Sequence, residues 1–269
     1  MTSRNENRFE KVTRSWWFYL LMMLISFIPS YSEIPVDPQN TNKLVLEVIS
    51  NPVIYSFTSV YALFKIVPLV LVVSLVIFKG RTTRPFYLWA GFSLFVMAVF
   101  QNMGYTKSYG FAVLIGNVIM LAFLAVLWFI AAYKQPADSL DLSKPAPLWR
   151  YWVVIPAILA FWFPIQTGAS GIPVPDFSLS GFFLNEAGLT FCMMMAVYNA
   201  VLVLAYPRVD IPMMRVSGAT GFAIGILNVI QFLLSPQYGP WMAFLHMPLL
   251  FISLNALILA LRKKPIEVH

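Results

Sequence analysis

Three ionisable residues, Lys65, Glu186 and His246, fall inside long apolar runs of this chain. An ionisable group in hydrocarbon is costly and is a first place to look for function. Lys65 is the most demanding. If its run starts near Val53 it sits about 15–18 Å deep at ~1.5 Å per residue, where a charge costs from about 3 to more than 10 kcal/mol. It therefore needs a partner, water or neutralisation. Pro68 follows three residues later and frees a backbone carbonyl that an ammonium can use. Glu186 and His246 lie in two later runs, each about 8 Å in from the opposite side to the basic segments. Asn117, Asn185, Gln101, Asn228 and Gln231 fall in the same half of their runs. Together these residues form a polar layer biased toward one face. Such a layer either lines a cavity or acts as interhelical hydrogen-bond glue worth roughly 0.6–2 kcal/mol per contact. The specific expectation is a Glu186–His246 pair with Lys65 deeper on the same cavity wall.

The elements that carry these residues follow from hydropathy. Hydrophobic residues make up 59% of the chain and charged residues 11%, where a soluble domain has about half and a quarter. The excess is concentrated in runs of the length that crosses ~30 Å of hydrocarbon. The class is an all-α integral membrane protein, and eight transmembrane helices fit, near 15–31, 54–78, 85–104, 109–133, 148–166, 181–205, 213–234 and 241–261. An amphipathic stretch, residues 44–50, is expected to lie on the membrane surface before the second.

Outside the runs, fifteen lysines and arginines fall in segments on one side and two, Lys43 and Lys107, on the other. By the positive-inside rule this makes the protein a multi-pass protein of the cell membrane with both termini cytoplasmic. The same rule accounts for the net charge of +7 without nucleic acid.

The chain also resembles itself. Residues 109–136 and 238–265 both open on Tyr-Gly and close on Lys-x-Pro, and the match places Asn117 against His246. Residues 60–102 fall on 187–229, pairing Arg81 with Arg208, Gly91 with Gly218 and Gln101 with Asn228. Trp17 and Pro29 match Trp152 and Pro164, and each proline is followed by Ile-Pro-Val and an aspartate, Asp37 or Asp176. The reading is a tandem parallel repeat of two four-helix units, 1–136 and 148–269, joined by a polar linker at 137–147. Lys65 then matches Cys192 and Glu186 matches Ser59, which makes any site asymmetric.

Several chemistries lack their residues. No His/Cys/carboxylate grouping has zinc spacing, no Walker or GxSxG motif occurs, and a single cysteine, Cys192, excludes an intrachain disulfide. The methionines of 22–23 and 193–195 read as packing. No cofactor, metal or catalytic residue is expected. The leading expectation is a small transporter or permease-like protein for a small molecule or ion, with the lipid bilayer as its surroundings. The alternatives are a non-catalytic assembly factor, sensor or complex subunit with a membrane-protein partner, and an intramembrane lipid or quinone enzyme.

Overall fold

The computed structural model describes residues 8–167, 173–234 and 239–262, and these are mostly helical. In order they form α1 (Arg8–Val12), α2 (Trp16–Ile25), β1 (Tyr31–Ser32), α3 (Thr41–Ser50), α4 (Tyr61–Ile77), α5 (Thr83–Phe100), β2 (Met103–Thr106), β3 (Gly110–Val113) and α6 (Ile115–Lys134). There follow α7 (Val154–Trp162), β4 (Ile165–Thr167), β5 (Pro173–Pro175), α8 (Leu179–Leu184), α9 (Phe191–Ala205), α10 (Ile211–Leu233) and α11 (Gly239–Leu261).

Among the described residues, five helical stretches are long and apolar enough to cross a membrane: Thr58–Ile77, α5, α6, α10 and Trp241–Leu261. A sixth arises only if Leu179–Leu189 and Phe191–Ala205, which meet at a 95° bend, count as one. The expected first and fifth passes are shorter, Trp16–Ile25 and Leu148–Trp162. Proline accounts for both stops. Pro29 and Pro164 follow shortly after these helices, and a residue before proline is driven out of the α region. Phe163, just before Pro164, takes φ 49°, and β1 or β4 follows.

The Tyr-Gly of residues 109–110 lies outside any helix. Residues 103–113 form the β2–β3 hairpin, in register Met103 to Val113 and Thr106 to Gly110, with β1 on the other edge of β3. Hydropathy alone does not separate aromatic and β-branched strands from the helix they follow. The amphipathic stretch at 44–50 is also reassigned: Leu44 and Val48 of α3 pack with Tyr109, Ala112 and Leu114. The hairpin, not the membrane surface, covers that apolar face.

α5 and α6 pack antiparallel, as do α10 and α11, and α9 packs against α7, α10 and α11. The α10–α11 seam is close because Gly218, Gly221 and Gly225 face α11. A Cβ on Gly218 would lie 2.7 Å from the Leu257 nitrogen. The residues 137–147 do not hang free between the halves. Leu140 is fully buried, with its N–H donated to Thr83 Oγ1 at 3.1 Å, and Arg208 Nη2 donates to the Asp141 carbonyl at 2.9 Å. Part of the sequence match lies outside the described residues, namely Tyr238 and the Lys-x-Pro after Arg262.

Candidate functional site at two interrupted helices

α7 stops inside the bundle, and its last carbonyls have no intrahelical donors. Lys65 and Asn185 supply them. The Lys65 ammonium donates to the Phe161 carbonyl and lies 4.4 Å from the centroid of the Phe161 ring. Asn185 Nδ2 donates to the carbonyls of Trp162 (2.7 Å) and Phe163 (3.2 Å). The negative end of a helix macrodipole thus meets a lysine. Lys65 is fully buried. It sits seven residues from Thr58, roughly 10 Å along the helix. That is shallower than expected, because Val53–Ser56 forms a separate 3-10 turn before the long helix.

The freed carbonyl near Pro68 serves another purpose. Pro68 has no N–H for Phe64, four residues back. The turn Glu186–Leu189 packs there, with Gly188 so close that a Cβ would lie 2.7 Å from the Phe64 carbonyl oxygen. The lysine therefore reaches across to a second helix instead of bonding the interrupted ladder of its own.

The second interruption is the start of α9. Thr190 is extended (φ −108°, ψ 121°) and ends the Glu186–Leu189 turn. The first amide of α9, Phe191 N–H, which has no intrahelical acceptor, donates to Gln101 Oε1 at 2.9 Å. One residue on, Asn228 Nδ2 contacts Cys192 Sγ at 2.9 Å. The Thr190 hydroxyl donates to the Glu186 carbonyl at 3.0 Å and lies 3.4 Å from the Tyr55 hydroxyl, while Tyr61 donates to the Tyr55 carbonyl. The Glu186 carboxylate is half-buried. Its charge acts on Lys65, Tyr55 and Tyr61, yet among the described residues it makes no ion pair or hydrogen bond.

Five of the eight expected site residues therefore meet at one junction: Lys65, Asn185, Glu186, Gln101 and Asn228. His246 does not pair with Glu186. It is buried behind Phe163, with Nδ1 2.7 Å from the Met242 carbonyl and its ring against Phe232 (4.6 Å) and Phe163 (6.5 Å). Nδ1 is thus engaged by its own helix, and the ring packs among aromatic side chains. Asn117 lies in the first turn of α6, beside Gly116, which packs against the Ile25 carbonyl of α2. It does not join the junction. Gln231 is half-buried near the end of α10, one turn beyond Asn228.

Sequence reasoning missed Tyr55, Tyr61 and Thr190, which are linked by hydrogen bonds beside the Glu186 backbone, and it missed the polar contacts between the two halves. Ser93 Oγ lies 2.7 Å from the Tyr198 hydroxyl, and Trp128 Nε1 donates to Ser217 Oγ at 3.0 Å. Asn199 Nδ2 extends this network to Ser253 Oγ at 2.9 Å. Isolated serines and tyrosines in apolar runs carry no periodic signal that would have shown them. Asp37 and Asp176 close local turns, accepting from Gln39 N–H and from Ser178 N–H and Oγ. An open apolar groove lined by Trp152, Phe251, Leu254, Asn255 and Ile258 runs along α11 and includes none of the junction residues.

Comparison of the chain with family models, curated proteins and solved structures finds no match.

Proposed function

We propose that this chain is a multi-pass membrane protein of the transporter or permease kind, and that the α7–α9 junction lies on its pathway. The observation that carries the reading is the Lys65 ammonium on the Phe161 carbonyl, at a broken helix end, with the Glu186 carboxylate, which has no partner among the described residues, close by. Interrupted helices inside a bundle place unwound backbone and opposed dipole ends where a polar solute or ion can bind. In this reading Glu186 meets the solute first, and Lys65 exchanges the carbonyl for it.

The reading includes eight passes, two of them short, with both termini in the cytoplasm, and two four-helix units. The order of elements supports the units. In each half a short apolar helix ends near a proline, then come one or two strands, a further helix, a 3-10 turn and three longer helices, with the β2–β3 hairpin set between the last two of these in the first half. The aligned turns after α4 and α9 also hold the same 137–147 segment between them.

A second reading, a membrane subunit or assembly partner, is favoured by the direct contacts between the halves at Ser93–Tyr198 and Trp128–Ser217. An intramembrane enzyme needs Glu186 and His246 to act as an acid/base pair, and the two are separately held. Single cysteines separate the first two readings. In a Cys192→Ser background, Lys65→Cys, Glu186→Cys and Asn228→Cys are treated with a membrane-impermeant thiol reagent from the hairpin side. Labelling at all three is the expected result. Silence at all three refutes the pathway and leaves the subunit reading.

A further inference from the structure

The ends of α4, α5 and α6 opposite the hairpin carry a cluster of exposed cations, Lys79, Arg81, Arg84 and Lys134. Lys79 (φ 50°) and Gly80 (φ 81°) make a left-handed turn between α4 and α5. Gly80 has no room for a side chain, since a Cβ would lie 2.8 Å from the Asp138 carbonyl oxygen and from the Asp141 nitrogen. The turn is thereby clamped to the 137–147 segment, which Leu140 and Arg208 pin on its other side. Lys79 and Arg81 project from either side of this glycine and Arg84 opens α5, all three exposed. α5 and α6 run antiparallel with Gly91 beside Phe129, so the end of α6, with exposed Lys134, lies next to Arg84.

Three other basic residues of this face bond within the fold, while Arg8, Lys11 and Arg262 are exposed. Arg150 Nη1 donates to the Tyr206 carbonyl at 2.6 Å, and Arg215, fully buried, donates to the Ala260 carbonyl and to Thr13 Oγ1. Lys144 pairs with Asp141 at 3.6 Å. Lys79, Arg81, Arg84 and Lys134 make no ion pair among the described residues, and Asp138 is the exposed acid in the adjoining segment. Aromatic and apolar groups ring them: Tyr133 is 78% exposed and Leu148 90%, with Phe78 and Trp149 also exposed. Cations fixed at the ends of hydrocarbon-length helices, within a belt of aromatic rings, sit where lipid headgroups lie.

We propose that Lys79, Arg81, Arg84 and Lys134 form a binding surface for the phosphate headgroups of anionic phospholipids. The inference rests on the chain being membrane-embedded and is independent of transport. The full chain, purified in detergent, is titrated with fluorescent phosphatidylglycerol and, separately, with fluorescent phosphatidylcholine. Phosphatidylglycerol binds in preference, and raising the salt weakens it. Each neutralised cation lowers affinity about fivefold, so Lys79→Gln/Arg81→Gln/Arg84→Gln lowers it on the order of a hundredfold. Lys43→Gln/Lys107→Gln, at the hairpin end, leaves the preference unchanged. Equal binding of the two lipids, or an unchanged triple variant, overturns the proposal. So does displacement of phosphatidylglycerol by millimolar inorganic phosphate, which makes the surface a site for a soluble anion.

Discussion

Replacing Lys65 by methionine separates a functional lysine from a structural cap. The two side chains are unbranched and of similar length, so no large cavity forms. Three terms change. The Phe161 carbonyl loses its donor, which costs about 1–3 kcal/mol in a site without water. The contact over the Phe161 ring, 4.4 Å from its centroid, is lost, at about 0.5–2 kcal/mol. Against these, a charge no longer has to be buried, a relief of about 3 kcal/mol on the lowest estimate. The sum lies within about 2 kcal/mol of zero. Reversible unfolding of Lys65→Met in detergent, followed by tryptophan fluorescence, should match the parent within that margin. Lys65→Ala also empties the space of the stem and should lose about 2–4 kcal/mol more. A methionine variant destabilised by more than about 4 kcal/mol refutes the reasoning, because it makes the lysine a net stabilising cap.

Ser93→Ala takes the serine partner from the Tyr198 hydroxyl, leaving Trp89 beside it, and should cost about 1–3 kcal/mol; the double variant with Tyr198→Phe should recover most of that in the same unfolding assay, and strict additivity would refute the pairing. Glu47 accepts from Ser108 Oγ (2.7 Å) and Ser108 N–H (3.1 Å), and the Ser108 hydroxyl, then its amide and Lys43, hold the carboxyl below its usual range. Because the folded value is the lower one, its stabilisation is complete above the unfolded value of about 4.3 and is lost as pH falls through the folded one. Hydrogen exchange at 103–113, corrected for intrinsic rates, should rise across that acid window, and Glu47→Gln should remove the rise. Gly218→Ala pushes a methyl into the Leu257 backbone and should cost about 1–3 kcal/mol. Gly181→Ala, whose nearest neighbour lies 3.4 Å away, should be neutral or stabilising by up to ~1 kcal/mol, and equal losses at both positions would refute the seam.

Hydropathy located the long helices well because apolar runs of that length have few other uses. It overextended the two that stop near Pro29 and Pro164, although both prolines stand in the sequence and restrict the residue before them. It also ran through the β2–β3 hairpin, whose Tyr, Phe and Val are as apolar as a helix. At the junction, residue type was informative and pairing was not. Lys65, Glu186, Asn185, Gln101 and Asn228 were all identifiable as polar groups in apolar runs. Depth along a run, however, does not give the direction a side chain faces, so Glu186 was matched to His246 at equal depth when its charge acts on Lys65. The acceptor for Lys65 was invisible for a different reason: a backbone carbonyl is present at every residue, and only a break in a helix makes one available.

That last point ties the charge to the break. Within hydrocarbon, backbone acceptors are occupied along intact helices, so a buried ammonium needs the end of one. α7 provides that end because Pro164 and the left-handed Phe163 stop it inside the bundle. The break in turn leaves carbonyls that need donors, and Lys65 and Asn185 satisfy them. Each feature compensates for the other, so their coexistence does not require a ligand. Glu186 falls outside this compensation. Its backbone helps form the turn against Phe64, but its carboxylate satisfies no donor among the described residues, and an alanine would close the same turn. The carboxylate, more than the lysine, is therefore the group whose presence needs a reason beyond folding. Glu186→Gln should leave stability within about 0.5 kcal/mol and should change whatever the junction binds.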